Sequence, residues 1–171
     1  MSERQSTESL GFGSIGFGGG CHWCTEAVFD SLLGVARVEQ GFIQSTAPYD
    51  NFSEAVIVSF DPNIISLSVL TDIHLRTHAS GSNHSMRGKY RSAVYVKDAA
   101  QHTQIERVLK QLSDGFEMPR VTHVLRLAAF KPSGSRFQNY YKNGPERPFC
   151  KTYIDPKLAM LRRDYGAYVD R

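Results

Sequence analysis

"SIGFGGGCHWCTEAVFDSLLGV", residues 14–35, combines the signals of a strand, a turn and a helix in that order. The run "SIGFGG" predicts a short strand, and the apolar residues after it recur at the spacing of a helix face until Gly34. Three glycines at 18–20 separate the two, and a tight turn there aims backbone N–H groups at the start of the helix. The stretch therefore predicts a strand and a helix joined by a glycine turn, with Cys21 in the first helical turn.

Strands and helices alternate along the rest of the chain. Further strands are predicted in "VARVEQGFI", "EAVIVSFDP", "YRSAVYV" and "PRVTHVLRLAAF". Helices are predicted in "SLSVLTDIHLRTH" from a Ser66 cap, in "DAAQHTQIERVLKQLSD" from Asp98 and in "PKLAMLRRDYGAYVD" from Pro156. Residues 131–153 are interpreted as mostly loop, with a short helix near Gln138. Several adjacent strands favour an α+β two-layer sandwich over a doubly wound sheet.

The composition of the 171 residues fits one globular domain. We predict a flexible N-terminal tail over residues 1–12 and a single catalytic domain over 13–171. No apolar run approaches the ~20 residues that cross a bilayer. The lysines and arginines are scattered among acids at a net charge of +3 and form no stripe for nucleic acid. We therefore expect a cytoplasmic protein that binds neither membrane nor nucleic acid.

Three cysteines are too few, and odd in number, for a secreted disulfide framework. Cys21 stands where free N–H groups and the helix dipole stabilise a thiolate and lower its pKa. Cys24 completes a C-x-x-C motif, which suits a redox dithiol or half of a zinc site. Zinc would need two more ligands, and the candidates are His22, His78, His84 and Cys150. None of these forms the second close-spaced pair that a structural zinc site normally shows, so no metal is expected.

Five more residues carry groups that suit such a thiolate. Glu54 opens an apolar run and is equally well interpreted as a buried proton donor or as a solvated acid at the end of a strand. Trp23 fits the wall of an apolar pocket, although a tryptophan in a helix is also typical of a core. Tyr90 and Tyr140 offer phenolic donors to a polar ligand atom. Cys150 lies in a proline-flanked segment, interpreted as a loop mobile enough to approach another sulfur.

The motif "GGGCHWCTEAVFDSLLGV", with "EAVIVSFDP" and "KYRSAVYV", resembles the peptide methionine sulfoxide reductases of type A, which are specific for the S epimer. The match runs from about Gly16 to Tyr95 and continues more weakly through "NYYKN" and "PFCKTYIDPKL". It implies a ferredoxin-like core with a mixed, mainly antiparallel sheet and helices packed on it. It also implies an enzyme that reduces methionine-S-sulfoxide, protein-bound or free, to methionine. The expected enzyme is a monomer, needs no cofactor and takes its electrons from thioredoxin.

The same resemblance implies roles for the reacting groups. Cys21 attacks the sulfoxide sulfur as a thiolate, and Glu54 protonates the departing oxygen. Cys21 is left as a sulfenic acid, the first stage of cysteine oxidation. Cys150 matches the position of the family's resolving cysteine, and Cys24 is the alternative resolving thiol.

The resemblance also implies residues that bind the substrate. Tyr90 and Tyr140 are expected to hydrogen-bond the sulfoxide oxygen, while Trp23 packs against the S-methyl group. His22 belongs to the same pocket, but it stands where the family usually has phenylalanine. The imidazole places a polar group beside the thiolate, where it either lowers the pKa of the thiol further or alters the choice of substrate.

Other departures lie outside this motif. The segment between Gly41 and Glu54 is shorter than the family's usual loop, which normally carries another oxygen-binding tyrosine, and Tyr49 is the candidate to replace it. The aspartate that usually precedes Tyr90 is missing from "SGSNHSMRGKY". "FKPSGSRFQNYY" lacks the acid-and-histidine cluster expected there. Two other functions therefore stay open: a C-x-x-C dithiol oxidoreductase of another kind, and a non-catalytic protein that binds methionine sulfoxide.

Overall fold

A computed structural model of the protein describes residues 12–78, 91–113 and 122–169. The strands within these residues are β1 (Gly13–Gly18), β2 (Val35–Gln44), β3 (Ser53–Phe60), β4 (Ala93–Val96), β5 (His123–Arg126) and β6 (Ala129–Pro132). The α-helices are α1 (His22–Asp30), α2 (Leu67–Thr77), α3 (Ala99–Ser113), α4 (Tyr140–Asn143) and α5 (Asp155–Asp164). Short 3-10 turns lie at Ser135–Phe137 and Gly166–Tyr168, and a π-helical turn lies at Cys150–Ile154.

The strands form one mixed sheet in the order β5-β4-β1-β3-β2-β6. The β4/β5 pair is parallel and the other pairs are antiparallel. The edge strands β5 and β6 are almost contiguous in sequence. Between them, Leu127 N donates to Val96 O of β4 and Ala128 N donates to Gln44 O of β2, both at 2.9 Å. Consecutive residues thus bond opposite halves of the sheet, so the sheet curls until its two edges meet. The expected α+β fold with a mainly antiparallel sheet is confirmed.

A larger apolar core lies between the outer face of the sheet and the helices. Its fully buried side chains come from alternate strand positions and from α1, α2, α3 and α5, and include Ile15, Phe17, Phe29, Val56, Val58, Ile73, Ile105 and Leu161. Alternation of this kind is expected for strands that face a core on one side. Phe17 and Phe29 stack with ring centroids 4.7 Å apart, which fixes α1 against β1.

A second, smaller core fills the inside of the curl. It is built from Ile43, Ala55, Ala93 and Tyr95, with Ile57, Leu125, Leu127 and Phe130 packed against it. Gly16 faces this cluster, and a Cβ on it would lie 2.9 Å from Ile43 Cδ1 and from Tyr95 Cβ. The absence of a side chain at Gly16 therefore allows the sheet to close this tightly.

Two local predictions were wrong. "PRVTHVLRLAAF" was expected to form one strand, but it divides into β5 and β6 because the curl brings both edges of the sheet to this segment. The segment around Cys150 was expected to be a mobile loop, but it forms a π-helical turn that buries Cys150 and Ile154 and continues into α5. Most of the predicted N-terminal tail lies outside the described residues. No helix in the described ranges is long and apolar enough to cross a membrane.

Candidate active site

Cys21 is the N-cap of α1 and lies at the partly exposed end of that helix. Gly19 and Gly20 precede it with φ angles of 138° and 112°, in the left-handed region that favours glycine. The Cys21 backbone is extended, and its carbonyl accepts the N–H groups of Cys24 at 3.2 Å and Thr25 at 3.3 Å. The glycine turn thus places the Cys21 thiol at the positive end of the helix dipole, as the sequence predicts.

The Cys21 and Cys24 thiols are hydrogen-bonded to each other. The pKa of Cys21 is lowered chiefly because the Cys24 thiol donates to its sulfur, and the backbone N–H groups of Trp23 and Cys24 act in the same direction. Burial opposes this effect, as does Glu54 whenever its carboxyl group is ionised. The pKa of Cys24 is raised because its proton is held by the Cys21 sulfur and because it is buried. The geometry therefore makes Cys21 the thiolate and Cys24 its donor.

Glu54 is the second residue of β3 and is buried, not solvated. Its Oε1 accepts the backbone N–H of His22 at 3.3 Å and lies 3.4 Å from His22 Nε2. The other imidazole nitrogen, Nδ1, lies 2.9 Å from the Gly41 carbonyl oxygen on β2. Three elements thus converge at the start of α1. They place a carboxyl group and an imidazole beside Cys21.

Tyr140 lies flat against Trp23, with ring centroids 4.0 Å apart and an interplanar angle of 2°. The Arg147 guanidinium lies 4.2 Å from the Tyr140 ring centroid, and Phe149 meets the Trp23 ring edge-on at 5.5 Å. Two of the aromatic residues expected to bind substrate, Trp23 and Tyr140, therefore belong to one stack beside Cys21. In this stack the Tyr140 ring covers one face of the Trp23 indole.

Glu26 holds this aromatic stack in place, a role that the sequence analysis missed. Its carboxylate is buried and accepts hydrogen bonds from Gln40 Nε2 at 2.9 Å, Asn139 N at 2.9 Å and Tyr140 N at 3.3 Å. Burial raises the pKa of Glu26, and these three donors oppose that rise. Asn139 has a φ of 55°, a left-handed turn that leads into α4. A glutamate one turn after the thiol, among apolar neighbours, is the sequence signal for this role.

Arg91 was also missed, because a charged side chain is rarely buried. Arg91 is only 5% exposed. Its guanidinium donates to Asn51 Oδ1 at 2.9 Å, to Ile43 O at 3.2 Å and to the Tyr95 hydroxyl at 3.1 Å. Its backbone N–H donates to Ser53 Oγ at 2.8 Å, so Arg91 supports the start of β3 next to Glu54. Tyr49, the candidate for the missing oxygen-binding tyrosine, packs its ring against His123 at 5.0 Å and faces Arg91.

Cys150 is fully buried and packs in the same core as Cys24. Burial raises the pKa of its thiol, and a thiolate at Cys150 would in turn raise the pKa of Cys24. Cys24 therefore lies next to Cys21 and near Cys150. Tyr90 and His84 lie outside the described residues. In the described ranges, no three histidine, cysteine or acidic side chains are grouped so as to hold a metal ion.

Comparison with known proteins identifies the family. A sequence model described as "Peptide methionine sulfoxide reductase" matches residues 13–168. The peptide methionine sulfoxide reductase MsrA of Deinococcus radiodurans is 37% identical over 166 residues, which cover 88% of this chain and 81% of the relative. Mxr1 of Saccharomyces cerevisiae in reduced form shares the fold, with a TM-score of 0.70 at 20% identity over 84% of this chain and 92% of Mxr1. Mxr1 in complex with Trx2 has a TM-score of 0.60 at 20% identity, over 76% of this chain and 85% of Mxr1. From the match over nearly its whole length, this chain belongs to the peptide methionine sulfoxide reductase family.

Proposed function

We propose that this protein reduces methionine-S-sulfoxide, protein-bound or free, to methionine with Cys21 as the nucleophile. The observation that carries the proposal is the meeting of a thiol of lowered pKa with a buried carboxyl group, Glu54, at the start of α1. Membership of the family and the curated name of the Deinococcus relative support the same substrate class.

The first step needs both groups. The Cys21 thiolate attacks the electrophilic sulfur of the sulfoxide, and Glu54 supplies one proton to the oxygen as the S–O bond breaks. Cys21 gains that oxygen as a sulfenic acid, and the substrate leaves as a thioether. The thiolate, the sulfoxide and one proton thus yield a sulfenic acid and methionine, so cysteine sulfur is oxidised by two electrons while substrate sulfur is reduced by two. The Trp23–Tyr140 stack offers the apolar wall for the methyl group, and Tyr90 is the proposed second donor to the oxygen.

The second step returns Cys21 to the reduced state. Cys24 is placed to attack the sulfenic acid first, because its thiol already contacts the Cys21 sulfur and Cys21 itself lies outside the helix. Attack forms a Cys21–Cys24 disulfide and releases water. Cys150 then exchanges onto Cys24 when the π-helical turn at Cys150–Ile154 opens, and this frees Cys21. A thioredoxin is the proposed reductant of the resulting disulfide, an assignment supported by the solved complex of Mxr1 with Trx2.

We also propose that the protein acts as a monomer in the cytoplasm. The three cysteines are free thiols, which suits a reducing compartment. A gel-filtration measurement of the reduced protein tests the monomer.

A C-x-x-C dithiol oxidoreductase of another kind is the second candidate function. The hydrogen-bonded pair of Cys21 and Cys24 at a helix start favours it, since this arrangement suits thiol–disulfide exchange without any sulfoxide. Such an enzyme has no need of Glu54. Disulfide reduction that survives Glu54→Gln but is lost in Cys24→Ser would support this candidate over the first.

The deciding experiment is turnover of separated S and R epimers of a methionine sulfoxide peptide, driven by dithiothreitol and then by thioredoxin. We expect consumption of the S epimer alone, its loss in Cys21→Ser and a large decrease in Glu54→Gln. Binding of the sulfoxide peptide without turnover would instead identify a non-catalytic binding protein.

Cys24→Ser and Cys150→Ser, compared under thioredoxin, identify the resolving thiols. We expect both to lose thioredoxin-coupled turnover but to keep one burst of methionine per protein molecule. Unchanged steady-state turnover in Cys150→Ser would remove Cys150 from the relay and leave Cys24 as the resolving thiol.

A further inference from the structure

The His22 imidazole lies between an oxygen that can only accept a hydrogen bond and an oxygen that can also carry a proton. Nδ1 lies 2.9 Å from the Gly41 carbonyl, and Nε2 lies 3.4 Å from Glu54 Oε1. Both side chains are buried, with 7% of each residue exposed. A carbonyl oxygen only accepts, so Nδ1 carries a hydrogen and donates it to Gly41. Any change of protonation on the ring therefore takes place at Nε2, the nitrogen that faces Glu54.

Three protonation states are conceivable between Nε2 and Oε1. With no proton, a nitrogen lone pair faces a carboxylate oxygen. With two, a cationic imidazole faces a neutral acid. With one proton, the contact is attractive whichever atom carries it, because either an imidazolium faces a carboxylate or a carboxyl O–H faces a nitrogen lone pair, and buried polar groups favour such pairing. Glu54 Oε1 also accepts the His22 backbone N–H at 3.3 Å, which holds the same oxygen against the ring.

We propose that His22 and Glu54 hold a single proton in common and that this is the proton delivered to the sulfoxide oxygen. The proposal rests on the proposed function for its second half, whereas the shared proton itself does not. His22 acts through Glu54 and is therefore a positioning residue, while Glu54 is the group that meets the substrate.

The proton balance of the reaction cycle closes on this pair. Sulfoxide reduction removes the shared proton, leaving Glu54 ionised and Nε2 as a lone pair. Disulfide formation by Cys24 releases water and changes the charge of neither group. Exchange of Cys150 onto Cys24 restores the Cys21 thiol, and the proton that this thiol then loses returns to the pair as the thiolate forms. In each cycle the pair thus gives one proton to the sulfoxide oxygen and receives one from Cys21.

The titratable and charged groups around the pair lie on α1 and beside β3. On α1 these are Cys21, whose pKa Glu54 raises, and Cys24 beyond it. On the side of β2 the ring meets the Gly41 carbonyl and the edge of the Phe42 ring, with centroids 5.3 Å apart, and neither titrates. Beside β3, Arg91 bonds Ser53, the neighbour of Glu54, through its backbone.

Nitrogen NMR of the imidazoles in the reduced, full-length protein tests the shared proton without any substrate. We expect His22 to keep its hydrogen on Nδ1 in both proteins, and we expect the wild-type Nε2 signal at neutral pH to lie between those of a protonated and an unprotonated nitrogen and to move in Glu54→Gln. The signals of His102, an exposed histidine on α3 that pairs with Glu106, serve as the internal control and stay unchanged. A ring with its hydrogen on Nε2 alone, or the same Nε2 signal in the two proteins, would overturn the proposal.

Single-turnover formation of methionine from the S epimer tests the second half. His22→Phe keeps an aromatic ring of similar size but has no Nε2, so Glu54 holds the proton alone. We expect a loss of rate confined to the alkaline side, about tenfold there, with KM little changed. A loss by the same factor at every pH would assign His22 a purely structural role. Absence of turnover in both proteins would contradict the proposed function, while the NMR result would still decide on the shared proton.

Discussion

The ring of Tyr140 covers the ring of Trp23, with 4.0 Å between their centroids and 2° between their planes. The pair is a stack fixed from both sides. Glu26 holds the Tyr140 backbone, and the Arg147 guanidinium lies over the outer face of its ring. The wall of the site beside Cys21 is therefore built before any substrate arrives. The position of this wall therefore depends on Glu26 and Arg147, neither of which is proposed to contact the substrate.

Tyr140→Ala is expected to lower stability and weaken substrate binding. An aromatic pair of this kind contributes about 0.5–1.5 kcal/mol beyond the area it buries, so the midpoint of thermal unfolding should fall. Trp23 is the only tryptophan, so its emission should shift to longer wavelength as the indole becomes exposed. Tyr140→Phe keeps the ring and should retain kcat within about twofold, since packing needs no hydroxyl. A tenfold fall in kcat for Tyr140→Phe would instead indicate that the Tyr140 hydroxyl contacts the sulfoxide oxygen, as the family resemblance implies.

Glu26→Gln is expected to loosen the same wall from behind. Replacement of one carboxylate oxygen by an NH₂ group leaves buried N–H donors facing a donor, at a cost of about 1–3 kcal/mol. Urea unfolding and Trp23 emission measure the two consequences. Glu106→Gln, an exposed change on α3, is the matched control and should alter neither. Wild-type emission and stability in Glu26→Gln would show that the segment around Tyr140 is held by other contacts.

Cys24→Ala is expected to raise the pKa of Cys21, because the Cys24 thiol is the largest cause of its lowering. A lowered pKa keeps Cys21 reactive as the pH falls, so alkylation by iodoacetamide in the wild type should persist to a pH below that of an ordinary thiol. In Cys24→Ala the midpoint should rise by about one pH unit. Cys24→Ser retains a hydroxyl donor and should lie near the wild type. Mass spectrometry assigns the alkylation to Cys21, and equal midpoints in all three proteins would contradict the role of Cys24 as donor.

Arg91→Met is expected to destabilise the protein and to impair catalysis together. The change leaves the buried Ile43 carbonyl and the buried Tyr95 hydroxyl without this donor, at a cost of about 2–4 kcal/mol in the free energy of unfolding. Arg107→Met on the exposed face of α3 is the control and should cost less than about 0.5 kcal/mol. Because Arg91 supports the start of β3, we expect kcat to fall while the KM for the peptide changes little. Equal stability of the two variants would show that Arg91 is dispensable.

Gly16→Ala tests the curl of the sheet. The new methyl group would lie 2.9 Å from Ile43 Cδ1 and Tyr95 Cβ, and overpacking of this kind costs about 1–3 kcal/mol. Gly166→Ala, where a Cβ meets nothing within 4 Å, is the matched control and should be close to neutral. Calorimetry of the two variants compares them directly. Equal unfolding temperatures would mean that the smaller core can shift to accept a methyl group.

Local sequence patterns predicted the structure around the reactive Cys21. The strand, the glycine turn and the helix start at Cys21 are adjacent in sequence, and each has its own signal there. Glu54 was found for the same reason, since an acid at the head of an apolar run is conspicuous, but the run alone did not decide whether it is buried. The Gly41 carbonyl, which is the partner of His22 Nδ1, has no sequence signal because every residue has a carbonyl.

The parts that were missed depend on contacts between distant segments. Nothing in "PRVTHVLRLAAF" marks a break, and the split into β5 and β6 arises only because the sheet closes on itself. The prolines around Cys150 indicated a loop, but the segment is helical because Cys150 and Ile154 pack into the larger core. Arg91 is buried by a set of backbone and side-chain acceptors that only the folded chain assembles.

The burial of Cys150 has a chemical consequence for a protein of this family. The oxidants that convert methionine to its sulfoxide also attack cysteines, and they act fastest on thiolates that they can reach. Cys21 is such a thiolate, whereas Cys150 is enclosed in the core and kept in the protonated form by its surroundings. While the π-helical turn stays closed, a peroxide in solution reaches the Cys21 sulfur but not the Cys150 sulfur. The protein thus keeps one reducing thiol in reserve, shielded from the agents whose damage it repairs.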